Sequence, residues 1–223
     1  MSRRTTSIVL GLALGAAAAV PMPSGAQTPL GTQTPPGMQT PLDAPMLPDA
    51  RMQETGSVAR GGRSFAYQIR RLPVSSFPEL PANMAAELER QDCMIPQTYS
   101  ARRPENVVEA SLESAGTKDW AVLCSARGTV RLLVFFASSP LGSSVLQSAD
   151  EKARLQEHDG TGTLGFDWAI DRATPERVHQ AQAGLERRPA RLTHDAVADI
   201  RIDHETTYYF HAAKSWSRVE TSE

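Results

Sequence analysis

Residues 106–137 constrain the fold more than any other part of the chain, because they contain three consecutive segments with strand character. Apolar and polar residues alternate over 108–113, which is typical of a half-buried strand. Residues 120–125 form a second strand, and 130–136 a third that is apolar on both faces from Leu132 onward. A strand of this last kind lies inside a sheet that is covered on both faces. The stretch therefore predicts an antiparallel meander at the centre of the fold.

Glycines mark the two connections within this meander. Gly116 lies in the first turn, between the first two predicted strands. Residues 126–128 form the second connection, which we predict to be a three-residue hairpin loop with Gly128 at the position of positive φ. Both connections are short enough to join neighbouring antiparallel strands.

Helix and strand patterns continue through the rest of the folded region. Pro81 fits the first turn of a helix, in which Met84 and Leu88 lie on one stripe at helical spacing. Ser148, with Glu151 three residues later, forms a capping box that predicts a second helix. The predicted helices cover 81–91, 148–159 and 174–184, and the additional predicted strands cover 58–72, 164–170, 197–202, 206–211 and 216–219.

These elements predict an α+β fold in a single domain over residues 57–223. We expect a mainly antiparallel sheet of about five or six strands with about three helices packed on it. The folded part, about 165 residues, is long enough to bury one substantial hydrophobic core.

The N-terminal segment has the features of an export signal. Arg3 and Arg4 precede an apolar run at 8–20, and small residues at 24–26 provide a cleavage site, so we predict a signal peptide at 1–26. An uncleaved N-terminal anchor is the alternative. Residues 27–56, rich in proline, glutamine and threonine, predict a disordered linker. We therefore expect an exported protein, periplasmic or secreted, without a membrane span after signal cleavage.

The net charge and the cysteine content limit which partners and which cellular compartment we expect. Cleavage would remove two of 23 basic residues against 25 acidic ones, so the net charge would change from −2 to −4. That balance gives no electrostatic basis for binding nucleic acid. Two cysteines in an exported chain are most simply a disulfide, and we predict a bond between Cys93 and Cys124 that joins a helix end to the central sheet.

Several motifs resemble a family of uncharacterised exported bacterial proteins. They are IPQTY, RPENVV, DWAVLCS and GTVRLLVFF, followed by LGFDWAID and PERVHQAQ, and the resemblance spans about residues 77–212. It includes both cysteines and the tryptophan-bearing strand. The resemblance implies an exported location and a shared fold, and it implies no particular activity.

The sequence carries no motif for serine or metal-dependent catalysis. Neither a G-x-S-x-G nucleophile elbow nor an H-E-x-x-H zinc motif occurs. His204 and His211 would lie about 20 Å apart on an extended strand, too far apart to bind one ion. We therefore predict no catalytic residue, no metal site and no cofactor.

The other charged residues are interpreted as solvent-exposed surface residues. Asp167 and Asp171 would share one face of a strand about 13 Å apart, which favours a polar outer face over an acid–base pair. The arginines at 102–103 and 187–191 are interpreted as solubilising, because no glycine-rich cradle accompanies them.

The last strands offer the best candidate binding surface in the sequence. On a strand, alternate members of Tyr208, Tyr209, Phe210 and His211 point outward, so part of this aromatic row is exposed unless another element covers it. The leading hypothesis is a non-enzymatic module that binds an unknown protein or small ligand in the cell envelope through this row.

The alternative is a secreted hydrolase that uses a C-terminal histidine–aspartate cluster. Its candidate residues are His194, His211, Asp199 and Asp203. Side chains of this cluster within hydrogen-bonding distance in a deep pocket would favour the hydrolase.

Overall fold

The structure is a computed structural model that describes residues 52–139, 142–158, 160–185 and 191–222. The predicted signal peptide (1–26) and the predicted linker as far as residue 51 lie outside the described residues. The first strand begins at Gln53, so the folded part starts before residue 57, inside the stretch interpreted as linker.

The described residues form thirteen strands and two α-helices. The strands are β1 (Gln53–Arg60), β2 (Arg63–Pro73), β3 (Met94–Gln97), β4 (Val107–Ala110), β5 (Asp119–Ala126), β6 (Thr129–Phe135), β7 (Ser143–Asp150), β8 (Leu155–Glu157), β9 (Thr163–Phe166), β10 (Trp168–Ala173), β11 (Ala196–Arg201), β12 (Glu205–Ala212) and β13 (Ser215–Ser222). The helices are α1 (Ala82–Arg90) and α2 (Pro175–Ala181), and short 3₁₀ turns occupy Val74–Ser76, Glu151–Arg154 and Gln182–Gly184.

The strands pair into two sheets. The first has nine strands, in the order β7-β6-β5-β3-β2-β9-β8, with β1 also paired to β2 and β4 to β5. The second has four, in the order β10-β11-β12-β13. Strands β2 and β9 pair in parallel, whereas the other described pairs are antiparallel, so the first sheet is mixed.

The predicted central meander is confirmed, and one of its turns differs from the prediction. Strand β6 lies between β5 and β7, and its residues 132–135 are fully buried. Ala126 pairs with Thr129, so the β5–β6 loop contains only Arg127 and Gly128, not three residues. Their φ angles are 53° and 79°, and positive φ at both positions is the signature of a type I′ turn.

The sheets and helices stack as four layers: α1, the first sheet, the second sheet and α2. Leu88 of α1 packs in the same cluster as Val122 on one face of the first sheet. Leu123, the next residue of β5, points to the opposite face and joins the core between the two sheets. Val178 of α2 packs with Ala198 on the far face of the second sheet. Each sheet therefore has packed side chains on both faces.

The predicted fold class, α+β with about three helices on one sheet, is wrong. Strands account for 52% of the structure and helices for 16%, and the described residues contain two α-helices and two sheets. The helices at 81–91 and 174–184 were predicted in the right places, as α1 and α2. None of the described helices is both long and apolar enough to cross a membrane.

The second predicted helix, at 148–159, does not form. Ser148 pairs with Arg131 of β6 and therefore belongs to β7. Asp150 caps only the short 3₁₀ turn Glu151–Arg154, after which the chain enters β8. Pairing with the buried β6 outweighs the local capping signal, because sheet packing routinely overrides intrinsic helix preference.

The predicted disulfide is present. Cys93, just after α1, is bonded to Cys124 in the middle of β5, with 5.3 Å between their Cα atoms. Both residues are buried, at 4% and 0% exposure. The bond joins the α1 layer to the central strand, as predicted.

A fully buried carboxylate closes the connection between β4 and β5. Asp119 Oδ2 accepts hydrogen bonds from the backbone N–H groups of Leu112 and Glu113, each at 2.8 Å, and from the hydroxyl of Thr117 at 2.5 Å. Its Oδ1 accepts from the Ala137 N–H at 2.8 Å. Four donors therefore satisfy a charge that would be costly to bury without partners.

A second buried polar residue connects the two sheets. Asn106 has a φ of 71°, which asparagine tolerates better than most residues. Its Nδ2 donates to the carbonyl oxygens of Pro96 in β3 (2.7 Å) and Trp168 in β10 (3.2 Å), and its Oδ1 accepts from the Ile170 N–H (3.0 Å). Its carbonyl oxygen accepts from the Leu123 N–H (3.0 Å).

Candidate functional site

A polar cleft of about 290 Å³ lies between the two sheets. One wall is formed by Gln147 of β7 and Arg154 of the following 3₁₀ turn, and the other by the inner face of β11, β12 and β13. We call it the intersheet cleft. The charged and phenolic residues that the second sheet contributes are Asp199, Arg201, Glu205, Tyr209, Arg218 and Glu220.

Side chains alternate between the two faces of β11, and this alternation places the cleft beside the intersheet core. Val197 lies in that core and pairs with Tyr209 of β12. Asp199 and Arg201 follow on the same face of β11, and Asp199 pairs with Thr207. One face of a single strand therefore changes from apolar to charged, and its charged end forms the cleft wall.

Asp199 is the least expected residue of the cleft. Only 7% of its surface is exposed, and it forms no ion pair with a described residue. Burial raises the pKa of Asp199 to about 6, against the opposing effect of the Arg154 guanidinium. Trp168 Nε1 is itself buried with no partner at hydrogen-bonding distance among the described residues. Asp199 is thus a buried acid whose charged form is poorly stabilised.

Arg154 is the other incompletely satisfied charge in the cleft. Its guanidinium lies 4.1 Å from the centre of the Trp168 ring and forms no ion pair with a described residue. The turn that presents Arg154 is fixed by Glu151, which is 2% exposed and accepts hydrogen bonds from Arg71 Nε and Ser125 Oγ, each at 2.8 Å. The position of Arg154 is therefore set by a buried ion pair, whereas its own charge faces the cleft.

The remaining arginines of the cleft have carboxylate partners. Arg201 Nε donates to the fully buried Asp167 Oδ2 at 3.1 Å, and Arg201 Nη1 lies 3.7 Å from Glu205 Oε1. Arg218 Nε lies 3.5 Å from Glu220 Oε1. These pairs leave Asp199 and Arg154 as the groups with the most to gain from a ligand.

The charge of Asp199 also affects Tyr209 beside it. Burial raises the pKa of the Tyr209 hydroxyl, and the neighbouring Asp199 charge acts in the same direction. Tyr209 therefore stays protonated at neutral pH and offers a hydroxyl donor to the cleft.

Both faces of the predicted aromatic row are covered. Tyr208 and Phe210 pack in the cluster under α2, and they are 6% and 3% exposed. Tyr209, at 7%, lies between the sheets. His211 is half-buried, with its ring centroid 5.0 Å from that of Phe136. Ligand binding by this row stays a prediction, and the member of the row that borders the intersheet cleft is Tyr209.

The four candidate hydrolase residues do not converge. Asp199 lies opposite Thr207, and His211, four residues further along β12, is about 13 Å away along the strand. Asp203 lies in the turn after β11, where it accepts a hydrogen bond from the Tyr99 hydroxyl. His194 precedes β11, and its Nδ1 lies 3.0 Å from a neighbouring backbone carbonyl. Within the described ranges, no group of three metal-ligating side chains occurs.

Other charged residues also differ from the sequence interpretation. Asp167 is fully buried rather than on an outer face, and its Oδ1 has no hydrogen-bond partner in the described part of the chain. Asp171 is exposed, as expected, and lies 3.8 Å from Arg177. Of the arginine cluster at 187–191, only residue 191 lies among the described residues.

Sequence reasoning named Asp199 and Tyr209 but missed the arginines of the cleft. The alternation of side chains along β11 places Arg201 on the same face as Val197 and Asp199. This alternation could therefore have identified Arg201 from the sequence. Arg154 was hidden because the segment around it was assigned to a helix. No family model, curated protein or solved structure matches the chain.

Proposed function

We propose that the protein is a non-enzymatic binding module of the exported fraction, and that it holds a small polar ligand in the intersheet cleft. The observation that carries the proposal is Asp199, a buried carboxylate that lines the cleft and has no ion-pair partner among the described residues. Unpaired buried charges are costly, and they are retained in clefts where a ligand supplies the missing partner.

The lining indicates the chemistry of the ligand. A cationic or hydrogen-bond-donating group would satisfy Asp199, and an acidic group would satisfy Arg154 across the cleft. The volume of about 290 Å³ suits a compact metabolite rather than a polymer. A small zwitterion that carries an amine and a carboxylate fits both requirements.

The disulfide supports the exported location. A buried Cys93–Cys124 bond is stable in an oxidising compartment and rare in the reducing cytosol. This compartment preference, together with the N-terminal signal pattern, supports a periplasmic or secreted location.

The proposal is tested by thermal unfolding of the purified protein with a library of amino acids, amines and small carboxylates. A zwitterion present at about 100 times its Kd would stabilise the fold by about 2.7 kcal/mol, which is about 5–10 °C in Tm for a domain of this size. The shift should disappear in Asp199→Asn. It should persist in Asp171→Asn, a matched change of an exposed carboxylate outside the cleft.

Two outcomes would contradict the proposal. One is that no compound of these classes shifts Tm. The other is that a shift survives unchanged in Asp199→Asn, which would place binding elsewhere on the protein.

A hydrolase with Asp199 as general acid or base is the second candidate. The observation that favours it is the pKa of Asp199, which burial raises to about 6, within the range where a carboxyl group exchanges protons near neutral pH. Activity against ester or glycoside substrates that follows a pKa near 6 and disappears in Asp199→Asn would favour this reading over simple binding.

A further inference from the structure

A second concave surface lies on the opposite face of the first sheet from the intersheet cleft, the face that carries α1. It is an open groove of about 650 Å³ between the end of α1, the β5–β6 turn and the edge strand β7. We call it the edge groove. The lining residues that matter for its chemistry are Arg90, Gln91, Arg127, Arg131, Leu133 and Val145.

The edge groove is positively charged. None of its lining residues is acidic, although the chain as a whole has 25 acidic and 23 basic residues. Arg127 has no ion-pair or hydrogen-bond partner among the described residues, and Arg131 donates only to uncharged groups, Gln91 Oε1 at 3.2 Å and a disulfide sulfur. Arg90 is paired with Glu87 at 2.6 Å. Within the described part of the chain, two guanidinium groups therefore lack an anionic partner.

The rim of the groove is an edge of the first sheet as far as the structure describes it. Strand β7 is the last strand on its side of the first sheet and pairs only with β6 among the described strands. The register shifts between Leu132 and Leu133, which leaves Ser143 to Val145 as a regular segment beside the groove. Val145 is 53% exposed, a high value for a large apolar side chain in this structure. An edge of this kind offers free backbone N–H and C=O groups to another extended chain.

We propose that the edge groove docks an acidic peptide in extended conformation. The peptide backbone pairs with the Ser143 to Val145 edge, its carboxylates contact Arg127 and Arg131, and an apolar side chain packs on Val145. Addition of a strand to a free edge is a recurring mode of peptide recognition, in which main-chain hydrogen bonds give affinity. Charge-assisted contacts from arginine then select acidic sequences. Only a peptide uses both the free edge and the two guanidinium groups.

The test is fluorescence anisotropy with the purified protein and three labelled probes. The first is a short peptide of alternating glutamate and valine, and the second is the same peptide with alternate backbone nitrogens methylated. The third replaces glutamate with lysine. We expect the acidic peptide to bind, and the methylated and basic peptides to bind at least about tenfold more weakly, because they lose the strand pairing or the charge contacts.

Variants assign the binding to the groove. Arg127→Glu with Arg131→Glu should weaken the acidic peptide by about tenfold or more, as expected for losing two exposed charge contacts. The matched control is Arg102→Glu with Arg103→Glu, two exposed arginines in a loop outside the groove, which should leave affinity unchanged.

Three results would overturn the proposal: equal affinity for the acidic and basic peptides, equal affinity for the methylated peptide, or equal loss in the control variant. Far-ultraviolet circular dichroism of each variant verifies that the sheets are intact. Because the edge groove and the intersheet cleft share no lining residue, failure of one proposal leaves the other standing.

Discussion

Replacing Asp199 by asparagine tests whether its charge is as poorly stabilised as its surroundings indicate. Burial raises the pKa of Asp199 from its ordinary value of 3.8 to about 6. The folded state therefore holds this proton more tightly than the unfolded state does, so the protein loses stability as the pH rises from about 4 to about 6. Asparagine has nearly the same shape and carries no charge, so Asp199→Asn removes this loss.

The expected gain follows from the size of the shift. A pKa raised by about 2 units corresponds to about 3 kcal/mol at 1.36 kcal/mol per unit. Asp199→Asn should therefore be more stable than the wild-type protein by about 3 kcal/mol at pH 7.5, about 2 kcal/mol at pH 5.5 and about 0.5 kcal/mol at pH 4.0. Urea unfolding followed by tryptophan fluorescence measures the difference at each pH, and the other titrating groups cancel because both proteins contain them.

Asp171→Asn is the control, since this carboxylate is exposed and should give a difference close to zero at every pH. The reasoning is refuted if the gain in Asp199→Asn does not grow with pH. It is equally refuted if the variant is less stable than the wild-type protein at pH 7.5, because Asp199 would then have a stabilising partner.

Three further predictions concern the scaffold. Replacing Cys93 and Cys124 together by alanine should lower the free energy of unfolding by about 4 kcal/mol, because the bond closes a loop with a sequence separation of 31; urea unfolding under non-reducing conditions measures it. Asp119→Asn should lower the free energy of unfolding by about 3 kcal/mol, because it weakens buried hydrogen bonds to backbone donors. Hydrogen exchange at those backbone amides should become faster. Gly165→Ala should cost about 1–3 kcal/mol in urea unfolding, because an added Cβ would lie 2.5 Å from Tyr99 Cβ.

Each of these predictions has an outcome that would contradict it. An unchanged urea midpoint after loss of both cysteines would mean that the bond does not constrain the unfolded chain. Equal exchange rates in Asp119→Asn would mean that the charge of the carboxylate does not strengthen these hydrogen bonds. For Gly165→Ala the control is Gly142→Ala, where an added Cβ meets nothing closer than 3.6 Å, and equal cost in both variants would exclude crowding as the cause.

The central strands and both helices could be predicted because their signals are local. The alternation of apolar and polar residues in 108–113 and the apolar run in 130–136 indicate directly which side chains are buried. Pro81, followed by a stripe of apolar residues, predicts α1. The division into two sheets was not available from such patterns. Alternation shows that a strand has a buried face, but it does not show which other strand covers that face.

The error at 148–159 has the same origin. Ser148 and Glu151 have the spacing of a helix cap, and the sequence alone gives no sign that Ser148 pairs with Arg131 in another strand. That error hid Arg154, which forms one wall of the cleft together with Gln147. Asp199 was named among the candidate residues, but its burial between two sheets depends on how the sheets pack, which no single-strand pattern contains.

Asn106 joins the two sheets into a single unit, and this has a consequence for how the protein can be expressed. A fragment that contains only the last four strands would lack the side-chain oxygen that receives the Ile170 N–H, and it would expose the apolar side of β11 to water. Dividing the gene between Phe166 and Trp168 should therefore yield two insoluble halves when each is expressed alone, and soluble material should be recovered when the halves are produced together in one cell.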